Sequence, residues 1–545
     1  MISGAEAVKA ASRHLRGQIL EELVLDRPDF SKETVQILKF HGTYQQGDRD
    51  QRRAGQQQEI GSMVRVGIPG GALSAEQYIE LDRLADQAGD GGLRITTRQD
   101  IQYHRVRKPN LRALMRTLNA NLLTTLAACG DVVRNVVSCP APLGDPERTR
   151  IQSLAQSLGR TLKPKTRAYY EIWLDGEKAV SAESAEPESE PLYGATYLPR
   201  KFKIGLAAPG DNCIDAYTND VGIVPGGGGF TLLVGGGMGM SPGVKATHPR
   251  LAEPLCFIEP ERLQAAVETI VAIHRDYGNR TNRKLARLKY VIEEWGIERF
   301  KAEFDSRMGA PTAPPLQLTW ACAQDHLGWH SQADASLFLG LAVPSGRIRD
   351  TAEARWRTAL REVVERFHPG IRLTPQQNIL LTDVPAEARA ELAGVLGAHG
   401  IRLPGELPPV VRDALACVAL PTCGLAITEA ERVLPEIAGA IQCALAEAGL
   451  DGQSVSLRVT GCPNGCARPY TAEIGLVGQS VDLYRIYLGA SAVGTRLGFA
   501  FADNVPRAGI AARLRPLFRL YAAQRQPGES FGDFCHRLGR EALLS

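Results

Sequence analysis

The sequence lacks long apolar runs and any strong excess of charge of one sign. Its 545 residues contain no stretch of about eighteen apolar residues, so we predict no membrane-spanning helix. The first ten residues include a glutamate and form no apolar core of signal-peptide length. The formal net charge is +3, whereas a dedicated nucleic-acid-binding protein is normally strongly basic. We therefore expect a cytoplasmic protein, or a stromal one if the source has plastids, with no membrane segment and no dedicated nucleic-acid site.

Nucleotide-binding signals are also missing. Glycine runs at 226–229 and 235–237 flank a short apolar segment, but neither carries the lysine and hydroxyl residue of a phosphate-binding loop. We find no flavin or nicotinamide motif either. Because glycine lets the backbone approach a ligand closely, the two runs form either a flexible hairpin or the wall of a ligand pocket.

The cysteines are not spaced like those of a dense disulfide framework. The chain has 11 cysteines, an odd number spread along its length, which fits a reducing compartment better than a secreted protein. We predict that seven of them are small buried hydrophobic residues: Cys129, Cys139, Cys213, Cys256, Cys322, Cys443 and Cys535.

The other four cysteines form two tight pairs towards the end of the sequence. Five residues separate Cys417 from Cys423, three separate Cys462 from Cys466, and 38 residues lie between the pairs. Thiolates are soft ligands that suit both iron–sulfur clusters and zinc. Because a zinc ribbon usually has two residues inside each pair, the wider gaps favour an iron–sulfur cluster. Structural zinc and buried thiols without a metal are the alternatives.

The first and second halves of the sequence also resemble each other. In each half a short apolar run leads through a proline–glycine turn to an amphipathic helical stretch and a further strand, which is the pattern of an α+β unit. The helical stretches are predicted at 75–88 and 352–367. Three pairs of segments correspond in the same order: 66–73 with 341–348, 93–102 with 371–380, and 229–237 with 484–491.

The residues around the paired cysteines carry a resemblance to a known family. The segments Ala419-Leu-Pro-Thr-Cys-Gly-Leu and Thr460-Gly-Cys-Pro-Asn-Gly-Cys-Ala-Arg-Pro resemble the sirohaem-dependent sulfite and nitrite reductases. The resemblance implies a [4Fe–4S] cluster and a sirohaem whose iron shares the Cys466 sulfur. It also implies an α+β fold that is internally duplicated, with two ferredoxin-like half-domains and two larger α/β domains that bind these cofactors. The implied cluster ligands are Cys417, Cys423, Cys462 and Cys466.

The resemblance covers nearly the whole chain and implies a division into five parts. Cys139 stands at a comparable place in the first half, but it is then alone and is not expected to bind the cluster. Linkers are expected at 181–192 and 309–316. The five parts are an N-terminal extension (1–55), half-domain 1 (56–125), α/β domain 1 (126–308), half-domain 2 (317–400) and α/β domain 2 (405–545).

Four basic residues are candidates for a buried anion site. Taken alone, each would be predicted to be a surface charge. The resemblance instead implies that Arg98, Arg134, Lys201 and Lys203 bind the anionic substrate, and that the two arginines also contact sirohaem. In an extended segment Lys201 and Lys203 would point to the same side. A second basic segment, 279–289, is predicted to be a helix with Arg280, Arg283, Lys284 and Arg287 on one face, either solvated or in contact with the haem carboxylates or an acidic partner.

The implied reaction is the six-electron reduction of sulfite to hydrogen sulfide in sulfur assimilation. Lys203 resembles the sulfite-reducing rather than the nitrite-reducing branch. The expected electron donor is reduced ferredoxin, docking on arginines that include Arg507, Arg513 and Arg515. The alternative is a haemoprotein β subunit that receives electrons from an NADPH-dependent flavoprotein. A ferredoxin–nitrite reductase and a structural metal-binding protein rank below both.

Overall fold

The computed structural model describes residues 3–51, 59–166, 172–174, 177–180 and 190–544. Residues 181–189 of the predicted linker lie outside this part. The described residues form four five-stranded sheets and a two-stranded hairpin, Ile172–Leu174 with Glu177–Val180. None of the described helices has both the length and the apolarity needed to cross a bilayer.

Two of the sheets are antiparallel and exchange an edge strand. The first contains, in spatial order, Thr43–Gly47, Ile60–Val66, Ile101–Val106, Leu93–Ile95 and Arg347–Ile348. The second contains Gly328–Ser331, Leu337–Leu341, Ile379–Val384, Gly370–Leu373 and Ala72–Leu73. Each sheet therefore ends in a two-residue strand that belongs to the other half of the chain. The exchange joins the two half-domains through their backbones.

One helix from each half also packs against the other. The helix Ala75–Ala88 begins with a capping box in which Ser74 Oγ accepts from the Gln77 N–H at 3.2 Å and Gln77 Oε1 accepts from the Ser74 N–H at 3.1 Å. Its partner helix, Trp356–Phe367, begins four residues later than predicted, because the Asp350 carboxylate accepts from the N–H groups of Arg357 and Thr358. The half-domains also contain the helices Leu111–Ala120 and Arg389–Ala398.

The other two sheets have the same topology as each other. In both, three parallel strands are followed by two antiparallel ones. The first sheet contains Val137–Ser138, Ile204–Leu206, Val221–Gly226, Gly229–Val234 and Glu253–Ile258. The second contains Leu415–Ala416, Leu457–Thr460, Ile474–Ser480, Leu483–Leu488 and Phe499–Pro506. Strands 229–234 and 483–488 hold the fourth position in each sheet, as the sequence match predicts, and the duplicated α+β fold is confirmed.

The remaining helices lie at the beginning of the chain and around the α/β sheets. Their bounds are Gly4–Ala10, Ile19–Leu23, Lys32–Leu38, Pro146–Thr161, Leu263–Tyr277, Leu288–Met308, Pro409–Arg412, Leu434–Ala446, Ile510–Gln524 and Phe531–Leu544.

The predicted helix at 279–289 is wrong over most of its length. Only a 3₁₀ turn, Arg283–Leu285, and the helix beginning at Leu288 are formed. The Asn279 side chain accepts from the N–H groups of Thr281 and Asn282, and Asn282 accepts from that of Lys284 at 3.1 Å. Side-chain acceptors that bind nearby N–H groups hold a turn in place of a helix.

Candidate active site

The four motif cysteines lie at one edge of the second α/β sheet. Cys417 directly follows the strand Leu415–Ala416, and Cys462 follows the neighbouring parallel strand Leu457–Thr460. The carboxyl ends of parallel strands meet at the same edge, which is where α/β sheets usually bind ligands. The Cys417 N–H donates to the Val459 carbonyl at 3.1 Å, and Cys417 Sγ accepts from the Gly461 N–H at 3.3 Å. The backbone therefore fixes one cysteine of each pair against the other.

Two glycines make the second pair possible. A Cβ atom at Gly461 would lie 2.4 Å from the Thr428 carbonyl oxygen and 2.6 Å from the Ala419 Cβ. Gly465 has φ +61°, and a Cβ atom there would lie 2.7 Å from the Tyr470 ring. Glycine is the residue that tolerates both a left-handed conformation and such a close approach. The glycines of the second motif are thus required by the path of the loop.

Burial makes these thiols hard to ionise in the absence of a metal. It raises the pKa of Cys417, Cys423 and Cys462, that of Cys462 to about 11, and a negative charge on Cys466 raises all three further. Metal binding replaces the protons and overcomes this cost. A single zinc ion would hold four sulfurs about 3.8 Å apart. Within the described part of the chain, no three of these four sulfurs lie within 4.8 Å of one another, so they are not drawn together around a single-ion site.

Lys201 and Lys203 lie on one side of an extended segment, close enough to Cys466 for its charge to act on both. Phe202, between them, is fully buried on the opposite side. The Phe202 N–H donates to the Val132 carbonyl at 3.0 Å, and the Arg134 N–H donates to the Phe202 carbonyl at 2.8 Å. This pairing brings Arg134 next to the two lysines. The alternation expected from the sequence is present.

These cations have no carboxylate of their own. Over the described residues, no carboxylate lies within 4.0 Å of the side-chain nitrogens of Lys201, Lys203 or Arg134. The nearby Asp131 and Asp220 pair with Arg283 at 2.7 Å and Arg287 at 2.8 Å.

Because burial is not offset by a nearby carboxylate, the pKa values of both lysines are lowered. Burial, followed by Arg200 and Arg287, lowers the pKa of Lys201 to about 7. Burial, Lys201 and Arg98 lower that of Lys203 well below its ordinary value. A negative charge on Cys466 raises the pKa of both lysines, and Cys466 is the exposed member of the four cysteines. The site therefore has a surplus of positive charge around one accessible sulfur.

Arg98 is placed differently from the other three basic candidates. Its guanidinium donates to Asn219 Oδ1 at 2.6 Å, to the Asn135 carbonyl at 2.5 Å and to the Ile204 carbonyl at 2.7 Å. Burial lowers its pKa to about 9. These bonds tie the loop of half-domain 1 to the first α/β sheet. Next to Arg98, Thr97 Oγ1 donates to the Cys466 carbonyl at 3.2 Å.

The structure adds Arg65, which the sequence reasoning missed. It lies on the strand Ile60–Val66 between the fully buried Val64 and Val66, so its side chain leaves the opposite face of the sheet. Burial lowers its pKa, but negative charges that include Asp100 and Cys466 outweigh burial and raise it. The signal in the sequence was this alternation just before the first proline–glycine turn.

The basic residues of segment 279–289 are largely paired within the protein. Arg280 pairs with Glu6, and Arg283 and Arg287 pair with the two aspartates named above. These three arginines therefore hold parts of the protein together through ion pairs and do not simply face solvent. A separate cavity of about 570 Å³, lined by Asp215, Gln376 and Arg458 among others, contains none of the four predicted basic residues and none of the four motif cysteines.

Together these features define a class of protein. A duplicated α+β fold presents four thiols at a sheet edge beside a half-buried group of cations without carboxylate partners, as expected of a redox enzyme that acts on a small anion. Comparison with known proteins identifies the family: the chain belongs to the nitrite and sulfite reductases. The model described as "Nitrite/Sulfite reductase ferredoxin-like half domain" matches residues 55–121 and 330–399. The model described as "Nitrite and sulphite reductase 4Fe-4S domain" matches residues 153–312, in the first half rather than at the cysteine motif.

Full-length relatives have two different names. The chain is 44% identical to "Sulfite reductase [ferredoxin]" of Synechococcus elongatus, over 99% of this chain and 90% of the relative. It is 45% identical to "Sulfite reductase [NADPH] hemoprotein beta-component" of Myxococcus xanthus, over 99% and 97%. The solved structure of Mycobacterium tuberculosis NirA has the same fold, with a TM-score of 0.81 at 23% identity over 99% of this chain and 97% of that one.

This membership gives the cofactors as sirohaem and a [4Fe–4S] cluster. The described residues fit both groups. Four thiols can hold the cluster, and the unpaired cations around the exposed Cys466 are suited to a macrocycle with many carboxylates. Both relatives are named as sulfite reductases, and this chain belongs with them among the sulfite reductase enzymes.

Proposed function

We propose that this protein reduces sulfite to hydrogen sulfide in sulfur assimilation, using six electrons from reduced ferredoxin. The observation that supports the reaction is the group of unpaired cations, Arg134, Lys201 and Lys203, beside the exposed Cys466. A cytoplasmic location fits the eleven free cysteines. The five-part division of the chain is also retained as a proposal.

The cysteines have separate roles in this proposal. Cys417, Cys423 and Cys462 would hold the cluster, and Cys466 would hold it and also bind the sirohaem iron. When bound, the two groups supply single-electron transfer and the iron to which sulfite binds. Thr97 fixes the Cys466 backbone through its carbonyl, so the bridging sulfur is positioned by both half-domain 1 and the sheet edge.

The basic residues bind the sulfite oxygens and supply protons. Arg134 and Lys203 neutralise the anion, and Arg65 adds a fifth cation to the predicted four. Arg98 adds its charge next to Lys203 and also positions the loop that carries Thr97, since its guanidinium donates to Asn219 Oδ1 and to the Asn135 and Ile204 carbonyls. With a pKa of about 7, Lys201 can both hold and release a proton near neutral pH. Preorganised charges of this kind interact more strongly with an anion in a site that excludes water.

Turnover with a small uncharged reductant tests the reaction. Purified holoprotein should convert sulfite to sulfide, with kcat/KM for sulfite above that for nitrite. Lys203 motivates this order of preference. A higher kcat/KM for nitrite would make nitrite reduction the main activity, and absence of both activities in protein with full sirohaem and cluster content would contradict the proposal.

The choice of donor depends on sequence more than on the described surface. The chain carries no flavin or nicotinamide motif, and a relative at 44% identity is named for ferredoxin. The relative at 45% identity keeps the NADPH-dependent flavoprotein as the alternative donor. Of the predicted docking arginines, Arg507 lies 3.5 Å from Glu436 and Arg515 lies 2.6 Å from Glu447. Their positive charge is partly neutralised within the protein.

Two other arginines are better placed for an acidic partner. Arg49 is exposed, and its guanidinium donates to the Ala426 carbonyl at 2.6 Å, close to Cys423. The neighbouring Leu425 is 67% exposed and offers apolar contact beside the cluster motif. Arg513 lies over the Phe501 ring. We therefore include Arg49 and Arg513 in the proposed docking surface.

Ferredoxin-supported activity should fall as ionic strength rises, while activity with the uncharged reductant should change little. Exposed charges that steer association are screened by salt. Arg49→Glu should raise the KM for ferredoxin several-fold. Arg112→Glu, an equal charge change on the helix Leu111–Ala120, should not. If only a flavoprotein with NADPH supports turnover, the ferredoxin assignment is wrong while the proposed reaction stands.

A further inference from the structure

A second group of metal-ligating side chains lies in the first half of the molecule. Cys139 Sγ, an Asp211 carboxylate oxygen, Cys213 Sγ and a His326 ring nitrogen all lie within 4.8 Å of one another. Cys139, Asp211 and Cys213 are buried, and the His326 side chain is 11% exposed. None of these residues belongs to the proposed active site. Cys139, expected to be alone, in fact faces a second cysteine.

The distances within the group match a tetrahedral metal site. With metal–sulfur bonds of about 2.3 Å and metal–nitrogen or –oxygen bonds of about 2.0 Å, a tetrahedron has sulfur–oxygen and sulfur–nitrogen edges of about 3.5 Å. Cys139 Sγ lies 3.5 Å from Asp211 Oδ2 and 3.6 Å from His326 Nε2. His326 Nε2 lies 2.9 Å from Asp211 Oδ2, slightly less than the ~3.3 Å expected.

The surroundings orient and neutralise these ligands. The Cys213 N–H donates to Asp211 Oδ1 at 2.9 Å, which leaves Oδ2 directed at the other three residues. Arg148 Nη1 contacts Cys139 Sγ at 2.7 Å and Asp211 Oδ2 at 3.0 Å. Two thiolates and a carboxylate around a divalent ion leave one negative charge, which Arg148 balances. Such outer hydrogen bonds commonly fix metal ligands.

The two cysteines correspond to cluster cysteines of the other half. Cys139 directly follows the first strand of its sheet, as Cys417 does in the second sheet. Cys213 and Cys466 each lie three residues before a 3₁₀ turn, Ala216–Thr218 and Pro469–Thr471. The group therefore lies at the edge of the first α/β sheet that corresponds, in the duplicated fold, to the edge of the second sheet that carries the cluster cysteines.

Residues next to these cysteines support the same relation. Asp215 and Arg468 each follow their cysteine by two positions, have φ values of +51° and +55°, and begin the two 3₁₀ turns. Arg468 Nε donates to Asp215 Oδ2 at 2.5 Å. Equivalent positions that contact each other lie close to the axis that relates the two halves.

We propose that Cys139, Asp211, Cys213 and His326 bind one zinc ion. Four protein ligands close the coordination sphere, which is typical of a structural rather than a catalytic zinc. The ion would fasten the segment leading into half-domain 2 to the first α/β sheet. The backbone already pairs there, since the Asn212 N–H donates to the Cys322 carbonyl at 2.8 Å. Two cysteines are too few for a cluster that needs four thiolates. A disulfide between them would not explain why Asp211 and His326 converge on the same point.

Zinc content and X-ray absorption at the zinc edge test the site in the holoprotein, because iron does not contribute at that edge. Protein purified with reductant and supplied zinc should contain one zinc per chain in addition to the cofactor iron. The absorption fine structure should give two sulfur neighbours at about 2.3 Å and two nitrogen or oxygen neighbours at about 2.0 Å. Four sulfur neighbours would place the zinc at the cluster motif and overturn the proposal, as would protein without zinc.

Variants locate the ion. Cys213→Ser and His326→Gln should lose the zinc, and Cys443→Ser, which removes an exposed cysteine, should retain it. Loss of zinc should also lower the thermal midpoint of the holoprotein, and added zinc should restore it only in the wild type and the control. Full zinc in both ligand variants would overturn the assignment. So would a Cys139–Cys213 disulfide in zinc-supplied, reduced protein, detected by peptide mass.

Discussion

Cys466→Ser is expected to abolish sulfite reduction and to separate the two cofactors. Cys466 is the exposed member of the four cysteines, and its charge acts on both Lys201 and Lys203. A serine hydroxyl is a poor replacement for a soft thiolate ligand. We expect the variant to lose magnetic coupling between sirohaem and cluster, to bind less sirohaem and to show no measurable turnover. Electron paramagnetic resonance, iron analysis and the sirohaem absorption bands measure these effects.

Comparison with the other cysteines makes this result specific. Cys423→Ser should lose the cluster, because it removes a ligand from the same centre, while Cys443→Ser should keep both cofactors and full activity. In Cys466→Ser the sirohaem deficit should be larger than the one in Cys423→Ser at equal folded protein. A coupled centre that persists in Cys466→Ser would refute the shared sulfur.

Replacing Lys201 should separate charge from proton transfer. Lys201→Ala removes both, and we expect kcat/KM for sulfite to fall about 10²- to 10⁴-fold, the range of a lost general acid. Lys201→Arg keeps the charge but cannot deprotonate usefully, so it should retain most of the sulfite affinity while kcat falls by a similar factor. Steady-state kinetics with the uncharged reductant measures both values. Lys284→Arg, on the surface, is the matched control and should resemble the wild type.

The pH profile gives a second readout of the same residue. A lysine with a pKa of about 7 is protonated below that pH and neutral above it, so kcat/KM should fall as pH rises through 7. Because sulfite itself titrates near neutral pH, the informative quantity is the difference between wild type and Lys201→Arg. The difference in kcat should disappear at high pH, where wild-type Lys201 has lost its proton and, like the arginine, cannot donate one. Identical profiles and equal kcat in both proteins would exclude Lys201 as the proton donor.

Much of the fold could be predicted because the duplication repeats its signals. The match of 93–102 with 371–380 corresponds to a strand pair in each half-domain, and the capped helix at 75–88 was predicted with its observed bounds. The exchanged edge strands could not be predicted. They are two residues long, Ala72–Leu73 and Arg347–Ile348, and so short a strand shows no alternating pattern.

The site was predictable where the sequence fixes a local path and less so where partners are distant. The alternation of Lys201, Phe202 and Lys203 predicted the shared direction of the lysines, and Phe202 is fully buried as it requires. The hydrogen bonds of Arg98 reach Asn219 and Ile204, which no local pattern connects to it. Arg65 was missed because a charged residue between two valines also fits a solvated strand face.

The exchanged edge strands have a consequence for how the chain is made. Leu93 pairs with Ile348, so the first sheet stays open until the chain has left the ribosome as far as the first part of half-domain 2. An unpaired edge in a nascent chain is a site for wrong pairing, and holdase chaperones are expected to bind there. The neighbouring pair Arg94 and Arg347 both reach Glu431, which lies beyond the first cysteine pair. The ion pairs at this edge can therefore form only after Glu431, and with it the first cysteine pair, has left the ribosome.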